Sequence, residues 1–232
     1  MDKISSGTKI MDDFLNGGYE KDVITTIYGP AGSGKTTLCM LCLCGIAKDK
    51  KIIFIDTENG FSTERLSQIS ENYKAVLSKI IFLRPKNFEE QKKCVENLDK
   101  TLSSKFGIVI IDTLTMLYRL VIKEEGGIHE LNRQLGIQVN MLSQLAMKYQ
   151  IPVLISNQVY SDFEDKTKVN MVGGDILRYG SKCLIELQVA DGGLRRAVIR
   201  KHRSIEERKE ITFKIVNKGI EAVKESKGFR LF

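Results

Sequence analysis

The sequence has few prolines and no long hydrophobic run. Only 3 of its 232 residues are proline, and no low-complexity stretch divides it. No apolar run approaches the roughly 18 residues that a membrane-spanning helix needs. The first residues, Met1 to Ser6, are too polar for the apolar segment of a secretory signal peptide. We therefore expect a single domain over 1–232 that is cytoplasmic and has no membrane partner.

The cysteine content also argues against two kinds of stabilising site. Five cysteines are an odd number, so a disulfide framework is not expected in a cytoplasmic chain. Cys39, Cys42 and Cys44 are close together, but no second Cys or His pair completes a tetrahedral metal site. We expect these thiols to pack as small hydrophobic groups inside a helix.

The chain carries a moderate excess of positive charge. Its 36 basic and 29 acidic residues give a formal net charge of +7. The excess is concentrated in Arg195 to Arg203 and in Lys214 to Arg230. Such a balance favours an anionic partner such as nucleic acid, while a solvated lysine-rich surface explains it equally well.

The most informative segment runs from Gly29 to Thr36 and reads G-P-A-G-S-G-K-T. It matches the pattern G-x-x-x-x-G-K-S/T, and the apolar run Val23 to Tyr28 precedes it as a strand would. Its glycines let backbone N–H groups point at a polyphosphate. Lys35 adds a positive charge, and Thr36 offers a hydroxyl to Mg²⁺ at the start of the helix Lys35 to Ala47. This phosphate loop predicts a nucleoside triphosphate site, and the alternative is a glycine-rich turn without a ligand.

Apolar runs rich in β-branched residues alternate with helical patterns, which indicates a parallel sheet covered on both faces. A helical stripe of apolar residues lies at three- and four-residue spacing. The predicted strands are Val23 to Tyr28, Lys51 to Asp56, Lys79 to Leu83, Ile108 to Asp112 and Ile151 to Asn157. The stripe consists of Leu131, Leu135, Val139, Leu142, Leu145 and Tyr149.

The last third of the chain has a different pattern. Cys183 to Val189 and Arg196 to Arg200 flank a D-G-G-L turn, and Ile211 to Val216 precedes a second turn with glycine. We expect a short helix at 7–16, a parallel core at about 22–190 and an antiparallel β-hairpin extension at about 191–223. The fold class is therefore α/β.

Acidic residues end two of the predicted strands. Asp112 follows four apolar residues, which is typical of a Walker-B aspartate that holds Mg²⁺ at the carboxyl edge of the sheet, with an acid that caps a turn at the strand end as the alternative. Glu58 follows a neighbouring strand and is our candidate for orienting the attacking water, with a surface or capping role as the alternative. Asp56 is expected to be structural or to lie behind the reacting groups.

Four segments resemble the RecA superfamily, in particular its archaeal and eukaryotic recombinase branch. They are Gly7 to Gly18, Ile55 to Leu66 (I-D-T-E-N-G-F-S-T-E-R-L), Ser156 to Val159 (S-N-Q-V) and Gly173-Gly174. The resemblance extends from Gly7 to about Ile215. It implies a RecA-like P-loop NTPase core, with a mostly parallel twisted sheet flanked by helices.

The resemblance also implies roles for single residues. Glu58 falls on the family's catalytic glutamate, Arg65 on an arginine that can lie against adenine, and Gln158 on a glutamine that senses the γ-phosphate. The loop 159–174 would be the second DNA-facing loop, and 118–130 the first. The residues expected to bind ATP are Gly29, Pro30, Ala31, Gly32, Ser33, Gly34, Lys35, Thr36, Thr37 and Arg65, with Mg²⁺ on Thr36 and Asp112.

The sequence departs from the recombinase pattern at several places. It begins at the core, so we expect no N-terminal helical DNA-binding domain and no linker motif for polymerisation. Ser62 stands where the recombinase pattern has arginine. The second loop carries acidic residues, which weaken phosphate binding, and two lysines that offset them in part. These residues are Asp162, Glu164, Asp165, Lys166 and Lys168.

Lys201, His202 and Arg203 form another departure. On a strand, Lys201 and Arg203 would share a face and could reach the γ-phosphate of a neighbouring subunit, like an arginine finger. Bacterial RecA and KaiC-like ATPases carry a comparable basic pair. The alternative is a basic outer strand that binds DNA or only water.

A core-only chain with these motifs and with archaeal-looking lysine and isoleucine usage resembles the short archaeal paralogue of the recombinases. That resemblance implies ATP binding, weak hydrolysis and an accessory role in homologous recombination and repair without strand exchange. Expected partners are single-stranded or branched DNA, the main recombinase or the Holliday-junction resolvase, and a further copy of the chain. The alternatives are a KaiC-like regulatory ATPase that acts on proteins, a strand-exchanging recombinase, and a nucleotide-binding module that barely turns over.

Overall fold

The computed structural model describes residues 2–125, 128–161 and 169–223. Its helices are α1 Lys9–Phe14, α2 Lys35–Ile46, α3 Thr63–Ile69, α4 Tyr73–Ser78, α5 Phe88–Thr101, α6 Met116–Glu125, α7 Ile128–Tyr149 and α8 Gly174–Gly180. Its strands are β1 Lys3–Ile4, β2 Tyr19–Glu20, β3 Ile24–Tyr28, β4 Lys51–Asp56, β5 Ile80–Leu83, β6 Phe106–Asp112, β7 Val153–Asn157, β8 Val159–Ser161, β9 Val169–Met171, β10 Cys183–Val189, β11 Leu194–Lys201, β12 Glu210–Val216 and β13 Gly219–Ala222.

Within the described residues, nine strands form the main sheet in the order β13-β12-β11-β10-β3-β7-β6-β4-β5. The six strands from β10 to β5 pair in parallel, and β11, β12 and β13 continue the sheet by antiparallel pairing. We call these last three strands the antiparallel extension. The predicted fold class, a mostly parallel sheet with antiparallel strands at the carboxyl end, is confirmed.

The two faces of the sheet bury separate apolar clusters because the central strands alternate between them. In β4, Ile52 and Phe54 pack toward α1 to α4, whereas Ile53 and Ile55 pack toward α5 to α8. Cys39 and Cys42 lie fully buried in the first cluster as part of α2. Burial raises the pKa of both thiols, in keeping with a packing role.

Strand register brings the carboxyl ends of the central strands together. Tyr28 pairs with Asn157, and Asp56 pairs with Asp112. The chain segments that follow these four residues therefore meet at one edge of the sheet, where open α/β sheets bind ligands.

Several predicted boundaries differ from the structure, two of them for an identifiable physical reason. The strand expected from Ile151 begins at Val153, because Pro152 has no N–H to donate to a neighbouring strand. The expected loop 118–130 is mostly helical: α6 continues to Glu125 and α7 begins at Ile128. Tyr118 is buried in the cluster under α5 to α7, so packing holds this segment in a helix. Only 126–127 lie outside the described residues there.

The helix prediction built on the apolar stripe is confirmed, since α7 buries five of its members. They are Leu131, Leu135, Val139, Leu142 and Leu145. In the described part of the chain, no helix combines the length and apolar character needed to cross a membrane.

Two helical glycines should respond in opposite directions to the same substitution. A Cβ added to Gly136 in α7 meets no atom within 4 Å, so Gly136→Ala should raise the free energy of unfolding by about 1 kcal/mol through helix propensity. A Cβ on Gly180 in α8 would lie 2.2 Å from Val139 Cγ1. Gly180→Ala should therefore lower the free energy of unfolding by about 1–3 kcal/mol.

Urea denaturation of both variants against the wild type measures these changes. Equal effects of the two substitutions would contradict the described packing of α8 on α7.

Candidate functional site

The phosphate loop joins β3 to α2 and is shaped by close backbone contacts. A Cβ on Gly29 would lie 2.3 Å from the carbonyl oxygen of Leu187 in β10. Gly34 has a left-handed φ of 104° and forms the N-cap of α2. Glycine is required at the first position by space and at the second by backbone conformation. The loop is thus fixed against β10 on one side and α2 on the other.

Lys35 is buried and folds back over the loop. Its Nζ donates to the carbonyl oxygens of Gly29 at 2.8 Å and Pro30 at 2.9 Å. Burial lowers the pKa of Lys35, and the nearby carboxylates of Asp112 and Glu58 oppose that shift. An ammonium group held by two carbonyls can turn toward a polyphosphate without leaving the loop.

Thr36 and Asp112 form the predicted metal-binding pair. Thr36 Oγ1 donates to Asp112 Oδ2 at 2.7 Å, and Ser156 Oγ donates to Asp112 Oδ1. Burial raises the pKa of Asp112, while the hydrogen bonds from Ser156 and Thr36 lower it. A hydroxyl and a carboxylate side by side are hard oxygen ligands of the kind that Mg²⁺ prefers.

Ser33 Oγ is fully buried and, among the described residues, has no hydrogen-bond partner. Buried hydroxyls are normally paired, so the phosphate loop contains one unsatisfied polar atom. The ammonium group of Lys35 and the oxygens of Thr36 and Asp112 form a donor set that fits a Mg²⁺-bound nucleoside triphosphate.

Glu58 lies in the loop after β4 and lines the same cavity as Thr36 and Asp112. Its Oε1 accepts from Thr113 Oγ1 at 3.1 Å and from Gln158 Nε2 at 2.7 Å. The two bonds leave Oε2 available to a water molecule. The predicted water-orienting residue and the predicted γ-phosphate sensor are thus in direct contact.

Asp56 has a different role from Glu58. Its buried carboxylate accepts from the backbone N–H of Gly60 at 3.0 Å and of Phe61 at 3.3 Å, with Arg84 Nε 3.8 Å away. These contacts hold the turn that carries Glu58. The structure agrees with the expected structural role of Asp56.

A cavity of about 300 Å³ gathers most of the predicted nucleotide-binding residues. A larger cavity, about 460 Å³ between β5 and α5, contains none of them, so size alone does not locate the site. The smaller cavity is lined by Ala31, Gly32, Gly34, Lys35, Thr36, Thr37, Glu58, Asp112, Thr113, Gln158 and Ile215.

Arg65 does not line this cavity. Its guanidinium donates to the carbonyl oxygens of Val216 at 2.8 Å and Asn217 at 3.1 Å, and to Gln68 Oε1 at 2.8 Å. Arg65 therefore ties α3 to the turn between β12 and β13. Ser62, the departure noted in the sequence, caps α3 by accepting from the Arg65 N–H at 3.0 Å.

Gln158 connects the nucleotide cavity to the β8–β9 hairpin. β8 begins at the next residue, and the Gln158 carbonyl accepts from the Val172 N–H at 3.3 Å. Asn157 Nδ2 donates to the Val172 carbonyl at 2.8 Å, and Thr115 Oγ1 donates to Asn157 Oδ1. The acidic and basic residues of the predicted second DNA-facing loop, at 162–168, lie outside the described residues.

Lys201 and Arg203 do not line the chain's own nucleotide cavity. Lys201 is the last residue of β11, and its Nζ donates to the Arg178 carbonyl at 2.6 Å. Arg203 lies beyond the strand and pairs with Glu20 at 2.8 Å and Asp22 at 3.0 Å. Because the strand ends at Lys201, alternation on a strand does not place these two cations on one face.

The histidine between them is structural in its contacts. The side chain of His202 is 1% exposed, and its Nε2 lies 3.9 Å from Glu20 Oε1. Burial lowers the pKa of His202, and the Glu20 carboxylate opposes that shift.

Sequence reasoning missed four residues that contact the site: Thr113, Ser156, Arg195 and Ile215. The positions of Thr113 and Ser156, beside an assigned acid and inside the S-N-Q-V segment, were a usable signal. Arg195 and Ile215 reach the phosphate loop from the antiparallel extension. No local pattern reveals such a contact, because it depends on how the chain returns across the sheet.

Comparison with known proteins places this geometry in a family. The family model Rad51 matches residues 1–223. The DNA repair and recombination protein RadB of Methanococcoides burtonii is 39% identical over 221 residues, which cover 94% of this chain and 97% of that protein. RadB of Thermococcus kodakarensis is 39% identical over 226 residues, which cover 95% and 99%.

A solved structure agrees with these matches. The crystal structure of the RadB recombinase superposes on this chain with a TM-score of 0.81 at 37% sequence identity. The match covers 95% of this chain and 100% of that chain. The chain therefore belongs to the Rad51 family and, within it, to the RadB proteins.

Proposed function

We propose that this protein is an ATP- and DNA-binding accessory factor of homologous recombination and DNA repair, with weak ATP hydrolysis and without strand exchange. Its relatives are named DNA repair and recombination proteins, which supports the process. The observation that carries the proposal is the hydrogen bond between Gln158 and Glu58 at 2.7 Å. It joins the nucleotide cavity to the hairpin that begins at Val159.

The nucleotide would bind on the phosphate loop and Thr37. Lys35 would turn from the loop carbonyls to the β- and γ-phosphates, and Thr36 and Asp112 would hold Mg²⁺. That ion would neutralise phosphate charge during transfer to water. Arg65 already contacts Val216 and Asn217, so it would offer adenine the flat side of a fixed guanidinium.

Glu58 would orient the attacking water through Oε2. Thr113 would hold its Oε1 throughout, and Gln158 would hold the same oxygen until a γ-phosphate attracts the amide. An amide for which Glu58 and a γ-phosphate would compete supports a switching role for the site.

A γ-phosphate that attracts the Gln158 amide would compete with Glu58 for it. Gln158 would then shift relative to β8, and the hairpin would change its presentation of the predicted DNA-facing loop. Such coupling requires different contacts in the two nucleotide states, and the competition for one amide provides them.

The proposed partners are single-stranded or branched DNA and other recombination proteins, such as the main recombinase or a Holliday-junction resolvase. Lys201 of one copy of the chain would approach the nucleotide bound by a second copy. Arg203 would first have to leave Glu20 and Asp22, so Lys201 is the better candidate for contact between subunits.

The proposal is tested by measuring the affinity for single-stranded DNA with ATP, with ADP and without nucleotide, at several salt concentrations. We expect tighter binding with ATP and a steep salt dependence. Identical affinities in the three states would refute the coupling. Absence of salt-sensitive DNA binding would favour the KaiC-like alternative, a regulatory ATPase that acts on proteins.

Gln158→Ala should separate nucleotide binding from its effect on DNA. The variant loses the amide that contacts Glu58, whereas the phosphate loop keeps all its own contacts. We expect ATP affinity within about twofold of the wild type and loss of the ATP-dependent gain in DNA affinity. Gln144→Ala, an exposed glutamine on α7, is the matched control and should retain the gain.

Glu58→Gln should lower ATP turnover by about 10²-fold or more, because an amide cannot accept a proton from the attacking water. ATP binding should persist, since Glu58 touches no residue of the phosphate loop in its hydrogen bonds. Glu64→Gln, on the exposed side of α3, serves as the control with unchanged turnover. Unaltered turnover in Glu58→Gln would exclude Glu58 as the water-orienting residue and favour a module that barely turns over.

A further inference from the structure

Arg195 is a cation beside the phosphate loop that the proposed function does not use. It is the second residue of β11 and pairs with Val189 at the end of β10. β10 in turn pairs with β3, with Glu186 opposite Tyr28. Arg195 therefore lies beyond the last residue of β3, at the level of the loop.

Its side chain points to the face that carries α2. Ala197 and Ile199, two and four residues further along β11, belong to the apolar cluster under α2. Alternation along a strand places Arg195 on the same face. From there Nε donates to the carbonyl oxygen of Gly32 at 2.9 Å, and Nη1 donates to that of Leu194 at 2.9 Å.

The bond to Gly32 matters because of the loop's polarity. A loop whose N–H groups point inward at phosphates turns carbonyl oxygens outward, and these oxygens need donors of their own. Lys35 provides donors for Gly29 and Pro30 inside the site. Arg195 provides one for Gly32 from outside.

Two further contacts connect the antiparallel extension to the same region. A Cβ on Gly34 would lie 3.0 Å from Ile215 Cδ1 of β12, and Arg65 is bonded to the backbone that follows. Strands β11 and β12 thus both reach the phosphate loop. Among these contacts, the one made by Arg195 brings a charged donor to the backbone of the phosphate loop.

We propose that Arg195 is a positioning residue that holds the phosphate loop in its nucleotide-binding form through the Gly32 carbonyl. This inference rests on the proposed binding of ATP at the loop. The restraint from Arg195 acts on the loop backbone and therefore affects every nucleotide that places phosphates there, whether or not a γ-phosphate is present.

The test compares Arg195→Ala, Arg195→Lys and Arg196→Ala. Arg196 is the adjacent residue, faces the other side of the sheet and lies 3.8 Å from Glu210, so it matches the charge change without the loop contact. Dissociation constants for ATP and ADP, KM and kcat are measured for each, with the melting temperature of the nucleotide-free protein.

We expect Arg195→Ala to weaken ATP and ADP binding by the same factor, on the order of tenfold, the loss of one hydrogen bond to a charged group. KM should rise with kcat unchanged at saturating ATP. Arg195→Lys should recover part of the affinity, and Arg196→Ala should equal the wild type. The melting temperature of nucleotide-free Arg195→Ala should fall by no more than a few degrees, as expected for the loss of one contact.

Three outcomes would overturn the inference while leaving ATP binding intact. Arg195→Ala could bind both nucleotides as the wild type does. It could lose affinity for ATP alone, which would make Arg195 a γ-phosphate contact. It could match Arg196→Ala in every measurement, which would reduce the effect to surface charge. If the wild type bound neither nucleotide, the proposed function itself would fall.

Discussion

The buried carboxylate of Asp112 is the point on which the site depends. It ends β6, and its two oxygens accept hydrogen bonds from Thr36 in α2 and Ser156 in β7. A buried carboxylate without such partners would be costly, so each bond also restrains the element that provides it. The start of the α2 helix, the end of β6 and the end of β7 are thereby held in one arrangement. The side chains that could bind a polar ligand here are therefore the same ones that the buried Asp112 carboxylate needs as hydrogen-bond partners.

From Asp112 the polar contacts continue in two directions. Thr113, the next residue, bonds Glu58. Beyond Ser156, Asn157 and Gln158 contact Val172, where the hairpin returns. Because the Gln158 side chain also reaches Glu58, the two branches close into a ring around the cavity. A ligand that displaces one bond of this ring would leave a buried donor or acceptor that needs a new partner.

Much of this could be predicted from the sequence, because the relevant signals are local. The phosphate loop, the acid at the end of β6 and the glutamate after β4 each follow an apolar strand, and parallel pairing brings strand ends to one edge. The contacts of Arg65 and Arg195 could not be predicted in the same way. Both contacts span more than 150 positions. Such contacts depend on where β11 and β12 return beside the loop.

Tertiary packing also explains where the expectations were wrong. The loop expected at 118–130 came from the resemblance to the recombinases, but burial of Tyr118 against α5 and α7 holds this segment in a helix. Lys201 and Arg203 were placed on one face by strand alternation, which applies only while the strand continues. Beyond Lys201 the direction of a side chain is set by tertiary partners, here Glu20 and Asp22 for Arg203.

The antiparallel extension is connected to the nucleotide site and to α3 at several points. Its strands contact the loop at Gly32 and Gly34, and Arg65 bonds its last turn to α3. A nucleotide that orders the loop would therefore also stabilise the extension, and stabilising the extension would favour the nucleotide, since coupling free energies are reciprocal. The same cavity is bordered on its other side by Gln158 and the β8–β9 hairpin. The phosphate loop thus lies between two surface elements, the antiparallel extension and the β8–β9 hairpin. Under the proposed function each would respond to ATP, and turnover by Glu58 would reset them.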